Sequence, residues 1–140
     1  MLRFAMGLTY TVVAFCGQVP VAFSHDSVSH AFQSKVMTLL REQLSDVAGK
    51  QIVSRIYDVP AGTAVPRHLH AGDVFHFVLE GQWAAEVEDR ETRLLKQGDS
   101  QFVSRKKWHG GKVVGDHPLK LLAVMVIDTD KPVSTMVDPH

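Results

Sequence analysis

The stretch Gly62-Thr-Ala-Val-Pro-Arg-His68-Leu-His70-Ala-Gly-Asp73-Val74-Phe-His76-Phe-Val-Leu-Glu80-Gly81 decides how this chain is read. Val65 to His70 is extended, because Pro66 biases its neighbourhood away from helix. Val74 to Leu79 is rich in β-branched and aromatic residues and predicts a strand, which Glu80-Gly81 turns so that Gln82 to Val87 runs back beside it. His68 and His70 stand two apart, so on a strand both leave the same face about 6.5–7 Å apart and can converge on one ion at ~2.1 Å from each. Two histidines at that spacing equally describe an ordinary pocket pair, so the rest of the chain has to decide.

Outward from this stretch the same pattern continues. Ile52 to Val59 alternates and Pro60-Ala61-Gly62 turns. Glu88-Asp89-Arg90 is a polar hairpin tip. Further strands are expected over Thr92–Leu95, Gln101–Ser104, Gly111–Val114 and Leu119–Ile127, separated by Gly98-Asp99 and Gly115-Asp116-His117-Pro118. Many short strands with closely spaced turns predict an all-β fold, a jelly roll or barrel, since closing the sheet removes its sticky edges. The barrel is placed over residues 51–130, with a tail over 131–140. Upstream, Val28, Ala31, Phe32, Val36, Leu39, Leu40 and Leu44 recur at threes and fours, which predicts a short N-terminal helical arm over 25–50 with Gly49-Lys50 as the hinge.

Gly62 stands six before His68, Gly81 eleven after His70, and Gly98 eleven before His109. The second stretch reads Gly98-Asp-Ser-Gln-Phe-Val-Ser104-Arg-Lys106-Lys-Trp-His109. Together the two stretches resemble the paired motifs of the cupin superfamily, and the resemblance spans Ile52 to Ile127. It implies a cupin-type barrel with His68, His70 and His109 as ligands of one divalent transition metal inside it. Iron, manganese, copper, zinc and nickel all suit three imidazoles. There are departures. Val74 stands where the family carries a glutamate ligand, Ser104 and Lys106 replace a proline and a glycine, and Val113 replaces a frequent asparagine. Some cupins hold ferrous iron through three histidines alone, so the missing glutamate leaves a coordination position open.

Two neighbours are candidates for the gap. His76 faces inward if Val74 does, and is a candidate catalytic base or extra ligand, or a buried histidine bonded to a neighbour. Asp73 points outward on strict alternation and needs a bulge to turn in. Trp83 and Phe75 read as core or wall packing, and Trp108 as a half-buried residue beside His109. Arg105-Lys106-Lys107 reads as a solvated face or a lure for a carboxylate. His25, His30, His117 and His140 read as surface residues.

The first 24 residues read as an export signal. Met1-Leu2-Arg3 gives a positive start, Phe4 to Phe23 lacks Asp, Glu, Lys and Arg, and Ala22-Phe23-Ser24 suits cleavage after Ser24. The same run could serve as a membrane anchor, although Gly7, Gly17, Gln18 and Pro20 interrupt it. Phe15 before Cys16 does not suit a lipid attachment site. Cleavage would leave a mature chain without cysteine, exported to the periplasm or secreted, and so without thiol catalysis. Lys plus Arg and Asp plus Glu each count 15. That balance gives no broad basic field for nucleic acid and points to a small-molecule partner, with a homodimer expected from family behaviour. The expected function is a metal-dependent oxygenase or isomerase-like enzyme; a non-catalytic ligand- or metal-binding module of the cell envelope is the alternative, and copper or zinc buffering a third.

Overall fold

The computed structural model describes residues 34–137. They form ten strands and no helix: β1 Lys35–Gln43, β2 Lys50–Val59, β3 Ala64–His70, β4 Gly72–Glu80, β5 Gln82–Val87, β6 Arg93–Lys96, β7 Ser100–Val103, β8 His109–Val114, β9 Leu119–Asp128 and β10 Ser134–Met136. Two five-stranded antiparallel sheets result, in the orders β1-β2-β9-β4-β7 and β10-β3-β8-β5-β6. This is the all-β jelly roll expected from the alternation.

Alternation is what builds the interior. On β4, Gly72, Val74, His76 and Val78 are buried while Asp73 and Phe75 are exposed; on β9, Leu119, Leu121, Ala123, Met125 and Ile127 are buried. The inward residues of the two sheets meet in two clusters. One joins Val59, Val78, Leu119 and Leu121 to Trp83, Ala85, Leu95 and Val113; the other joins Val53, Val74, Val103, Met125 and Ile127 to Val87. Full burial of each such Val, Leu or Ile contributes roughly 1.5–3 kcal/mol. The β4–β5 turn depends on Gly81, whose φ is 81° and whose added Cβ would lie 2.3 Å from the Pro118 carbonyl oxygen.

The arm differs from the helix expected of it. Residues 35–43 are a strand, paired antiparallel with β2 from Lys35↔Asp58 to Gln43↔Gln51, with a register shift between Thr38 and Leu40. The physical reason is the sheet edge: β2 presents a row of backbone donors and acceptors, and pairing satisfies them whatever the side-chain period says. Because all nine residues of β1 are exposed, their apolar spacing reports no buried face. The export-signal reading, the first part of the arm and residues 138–140 lie outside the described residues. Within the expected tail, Ser134–Met136 pairs with β3 as β10. Among the described residues no helix is long and apolar enough to cross a membrane.

Candidate metal centre

His68 and His70 lie on β3, and His109 opens β8 directly opposite His68 in the ladder. The pairing brings distant segments to one point. One ligand atom from each of the three lies within 4.8 Å of the others, and their ring centroids are 5.1, 4.3 and 5.0 Å apart. Each ring turns its Nδ1 towards a backbone carbonyl: His68 towards Pro66 at 2.8 Å, His70 towards Val133 at 2.6 Å and His109 towards Lys107 at 3.4 Å. An Nδ1–H donating to a carbonyl leaves Nε2 as the bare lone pair, the usual way proteins orient a metal-binding imidazole. The His109 Nε2 is buried without a partner. An orphaned buried nitrogen beside two others similarly oriented fits a divalent ion, which needs three such neutral donors and leaves further positions open.

Electrostatics keep those donors neutral. Burial pushes the His70 pKa down to about 4, with positive charge on His68 and Arg55 adding to it against the Val133 carbonyl. Burial also takes His109 down to about 3, helped by His68 and His70, and lowers His68 against the Pro66 hydrogen bond. Neutral imidazole is the form that ligates.

The position of the missing glutamate stays apolar. Val74 faces inward and is 1% exposed. Asp73 points outward, as strict alternation predicts, and accepts the backbone N–H of Arg105 at 2.8 Å. His76 is inward and buried, with its ring 5.2 Å from His109 and edge-on to Trp83 at 5.4 Å. It does not belong to the set of mutually close ligand atoms, and its Nδ1 has no partner. Burial, then the neighbouring histidines, hold its pKa well below the ordinary range. So His76 is the deeper neighbour of the triad, and neither it nor Asp73 closes the gap left by Val74.

Other residues sort themselves by burial. Trp83 is core, packed over Gly111, whose added Cβ would lie 2.8 Å from the indole nitrogen. Phe75 is not wall packing: it faces out of β4 and is 42% exposed. Trp108 is half-buried beneath the Arg67 guanidinium, 4.2 Å from its ring centre. The basic loop is already engaged, Arg105 with Asp128 and Lys107 with Asp89 at 2.5 Å. Lys106 adopts a left-handed backbone, φ 65°, in the turn before His109. His117 is exposed, while His25, His30 and His140 lie outside the described residues.

A cavity of about 70 Å³ opens on the triad. Its inner walls are Val59, Leu119, Leu121 and Trp83, and its exposed rim is Pro66, Ser134 and Met136. The rim and the Val133 carbonyl were not legible from the sequence, because a three-residue strand after Lys131-Pro132 carries too short a pattern. Tyr57, which also lines the cavity, was missed too. The signal for it was present: it keeps phase with the inward Val53 and Val59.

A two-sheet barrel with an inward histidine triad defines a class of metal-site barrels. The chain belongs to the cupins: residues 55–125, just over half of it, match the family described as Cupin domain. No curated protein matches the sequence. Among solved structures it resembles the DMSP lyase DddQ of Ruegeria pomeroyi, at 21% identity and TM-score 0.62, over 74% of this chain and 51% of that one. The chain thus spans about half the length of that lyase. It also resembles a double-stranded beta-helix protein of Klebsiella pneumoniae at 16% identity and TM-score 0.60, over 76% and 86% of the two chains. The polyketide cyclase RemF of Streptomyces resistomycificus is similar at 23% identity and TM-score 0.57, over 76% and 72%. At these identities the likeness is one of fold.

Proposed function

We propose that this protein is a small exported cupin that holds one divalent transition metal through the Nε2 atoms of His68, His70 and His109 and acts on a small organic substrate as an oxygenase or isomerase-like enzyme. The observation that carries the reading is the set of three imidazoles whose Nδ1 atoms are turned to backbone carbonyls and whose ligand atoms lie within 4.8 Å of one another. An ion bound there supplies Lewis acidity or a redox centre next to the cavity. The remaining work falls to the chain itself. Val59, Leu119 and Leu121 exclude water from the inner end, and His76, kept neutral by burial, accepts or returns a substrate proton. The fold neighbours include proteins named as a lyase and a cyclase, which is compatible with enzymatic use of such a barrel.

Elemental analysis of the exported, purified protein tests this directly. One metal per chain is expected, falling to background in the His68→Ala/His109→Ala double variant; unchanged stoichiometry in that variant removes the site.

The apolar Val74 favours a second reading, a non-catalytic ligand-binding module. Substrate-panel assays on metal-loaded protein separate the two: a binder gives ligand-dependent stabilisation without turnover. We also propose that the protein is a homodimer, because Val36, Met37, Leu39 and Leu40 on β1 and Phe75 and Phe102 on the outer sheet face are exposed. Light scattering coupled to size exclusion checks this, and a monomer mass at micromolar concentration refutes it.

A further inference from the structure

The outer face of the first sheet is apolar from one edge to the other. One ladder row across it is Met37, Ile56, Leu122 and Phe77, and the next is Leu40, Ser54, Val124, Phe75 and Phe102. A third adds Ile52 and Val126. On β9 the residues between these are buried, so the rows point away from the barrel interior. The register shift in β1 serves this face: the extra residue between Thr38 and Leu40 puts Met37 and Leu40, three apart in sequence, on the same side. Met37, Leu40, Phe75, Phe102 and Val126 are all exposed.

The second sheet differs. Gln82, Glu86, Lys96 and Lys112 point outward there, and Leu94 is the exposed apolar residue among them. An antiparallel sheet with one face in water ordinarily carries polar residues on that face. The second sheet does so and the first does not.

Size and charge decide what covers the apolar rows. A charged row closes each end: Lys35, Asp58, Lys120 and Glu80 at one, Lys50 and Asp128 at the other. Both ends mix signs, so neither gives the basic field that suits an anionic membrane. The ends also complement each other. Turned end for end about the middle row, a second copy brings its Lys50 near Asp58 and its Asp128 near Lys120, because each pair shares a strand. Each side chain occupies about 33 Å² of sheet, so the rows cover roughly 650 Å² and two copies hide roughly 1,300 Å², within the range of specific interfaces. An apolar centre inside a charged rim is the anatomy such interfaces share.

We propose that two copies of this protein pack back to back through the outer face of the first sheet, about a two-fold axis that runs across the strands along the row of Leu40, Val124 and Phe75. This rests on the homodimer reading above and names its interface. A two-fold axis sets the same patch on both copies against itself, so the two Val124 side chains, at the middle of the middle row, lie within reach of each other. The cavity rim of Pro66, Ser134 and Met136 belongs to the other sheet and its edge, and stays uncovered in both copies.

The test is sedimentation velocity on the protein purified in its exported form, which is expected to run as a dimer at micromolar concentration. Val124→Glu and Val124→Lys should each self-associate at least about 100-fold more weakly, since each buries like charges together, and an equimolar mixture of the two should recover the dimer. Leu94→Glu, on the other sheet, should stay dimeric. If the Val124 variants do not fold, the exposed pair Phe75→Ser/Phe102→Ser decides, with association at least about 10-fold weaker expected. Undiminished association in Val124→Glu or in the phenylalanine pair, a mixture of folded variants that stays monomeric, or loss of the dimer in Leu94→Glu overturns this interface. With a native dimer those results leave the homodimer reading standing and move the contact elsewhere, to the free edge of β1 first of all. A native monomer refutes both, and one that binds phosphatidylcholine vesicles gives the face to a membrane instead.

Discussion

The two inner faces of the barrel hold polar side chains opposite one another and treat them differently. On β3 and β8 the three histidines are tied, each Nδ1 turned to a carbonyl of Pro66, Val133 or Lys107. On β2, β4 and β7 the nitrogens of Arg55, His76 and Gln101 have no such tie. Backbone carbonyls aim the first set before any ligand arrives, which is what a metal site requires. The second set lacks partners within the protein. Histidine is common to both faces, so the difference lies in the backbone around it rather than in residue type.

Several experiments break or sharpen this contrast. The largest effect is expected on the tied face: the His68→Ala/His109→Ala double variant should lose essentially all bound metal by elemental analysis, while His76→Phe should keep full stoichiometry. Equal loss in both would abolish the distinction. Next comes the tie itself. Ending the chain after Pro132 removes the Val133 carbonyl and β10, and should weaken metal affinity about 10- to 100-fold in a competition titration with a chelator. Unchanged affinity would mean that His70 needs no orientation.

Acid acts on the tied face through protonation. In the metal-free protein His70 and His109 titrate near 4 and 3, against 6.5 in the unfolded chain. Between those values the unfolded state binds protons that the native state refuses. Stability is therefore full above about pH 6.5 and lost progressively as pH falls towards 4 and then 3. Thermal melts of metal-free protein across that window check the sign; a melting temperature flat down to pH 4 contradicts it.

On the untied face the expected change is small and of opposite direction. His76→Phe replaces a buried group with an unpartnered nitrogen by an apolar ring of similar shape, and should leave stability unchanged or raise it by about 1 kcal/mol in urea melts, while lowering any turnover. A large loss of stability would mean that His76 is already satisfied. Smallest of all, Lys106→Gly relieves a left-handed backbone in the turn before His109 and should add less than about 1 kcal/mol, with metal affinity unchanged.

Much of the tied face was legible in the chain. The His-x-His spacing, the glycines at 62, 81 and 98 and the alternation of Val74 to Leu79 give strands, turns and a shared face from local geometry. Asp73 outward and His76 inward followed from period two alone. The untied face was harder to read, because Arg55 and Gln101 look like ordinary polar residues until the register of β2, β9, β4 and β7 places them in one row with His76. Phe75 and β1 went astray for related reasons. Aromatic character does not say which face of a strand is inside, and apolar spacing at threes and fours means little in a strand exposed throughout.

Local rules thus determined the strands, the turns and the candidate ligands, since these depend on neighbours two to eleven residues away. The meeting of His109 with His68, the carbonyl of Val133 above His70 and the company kept by Arg55 were decided by tertiary structure alone. They arise from ladder pairings between segments tens of residues apart, and register across such distances is set by how the whole core packs.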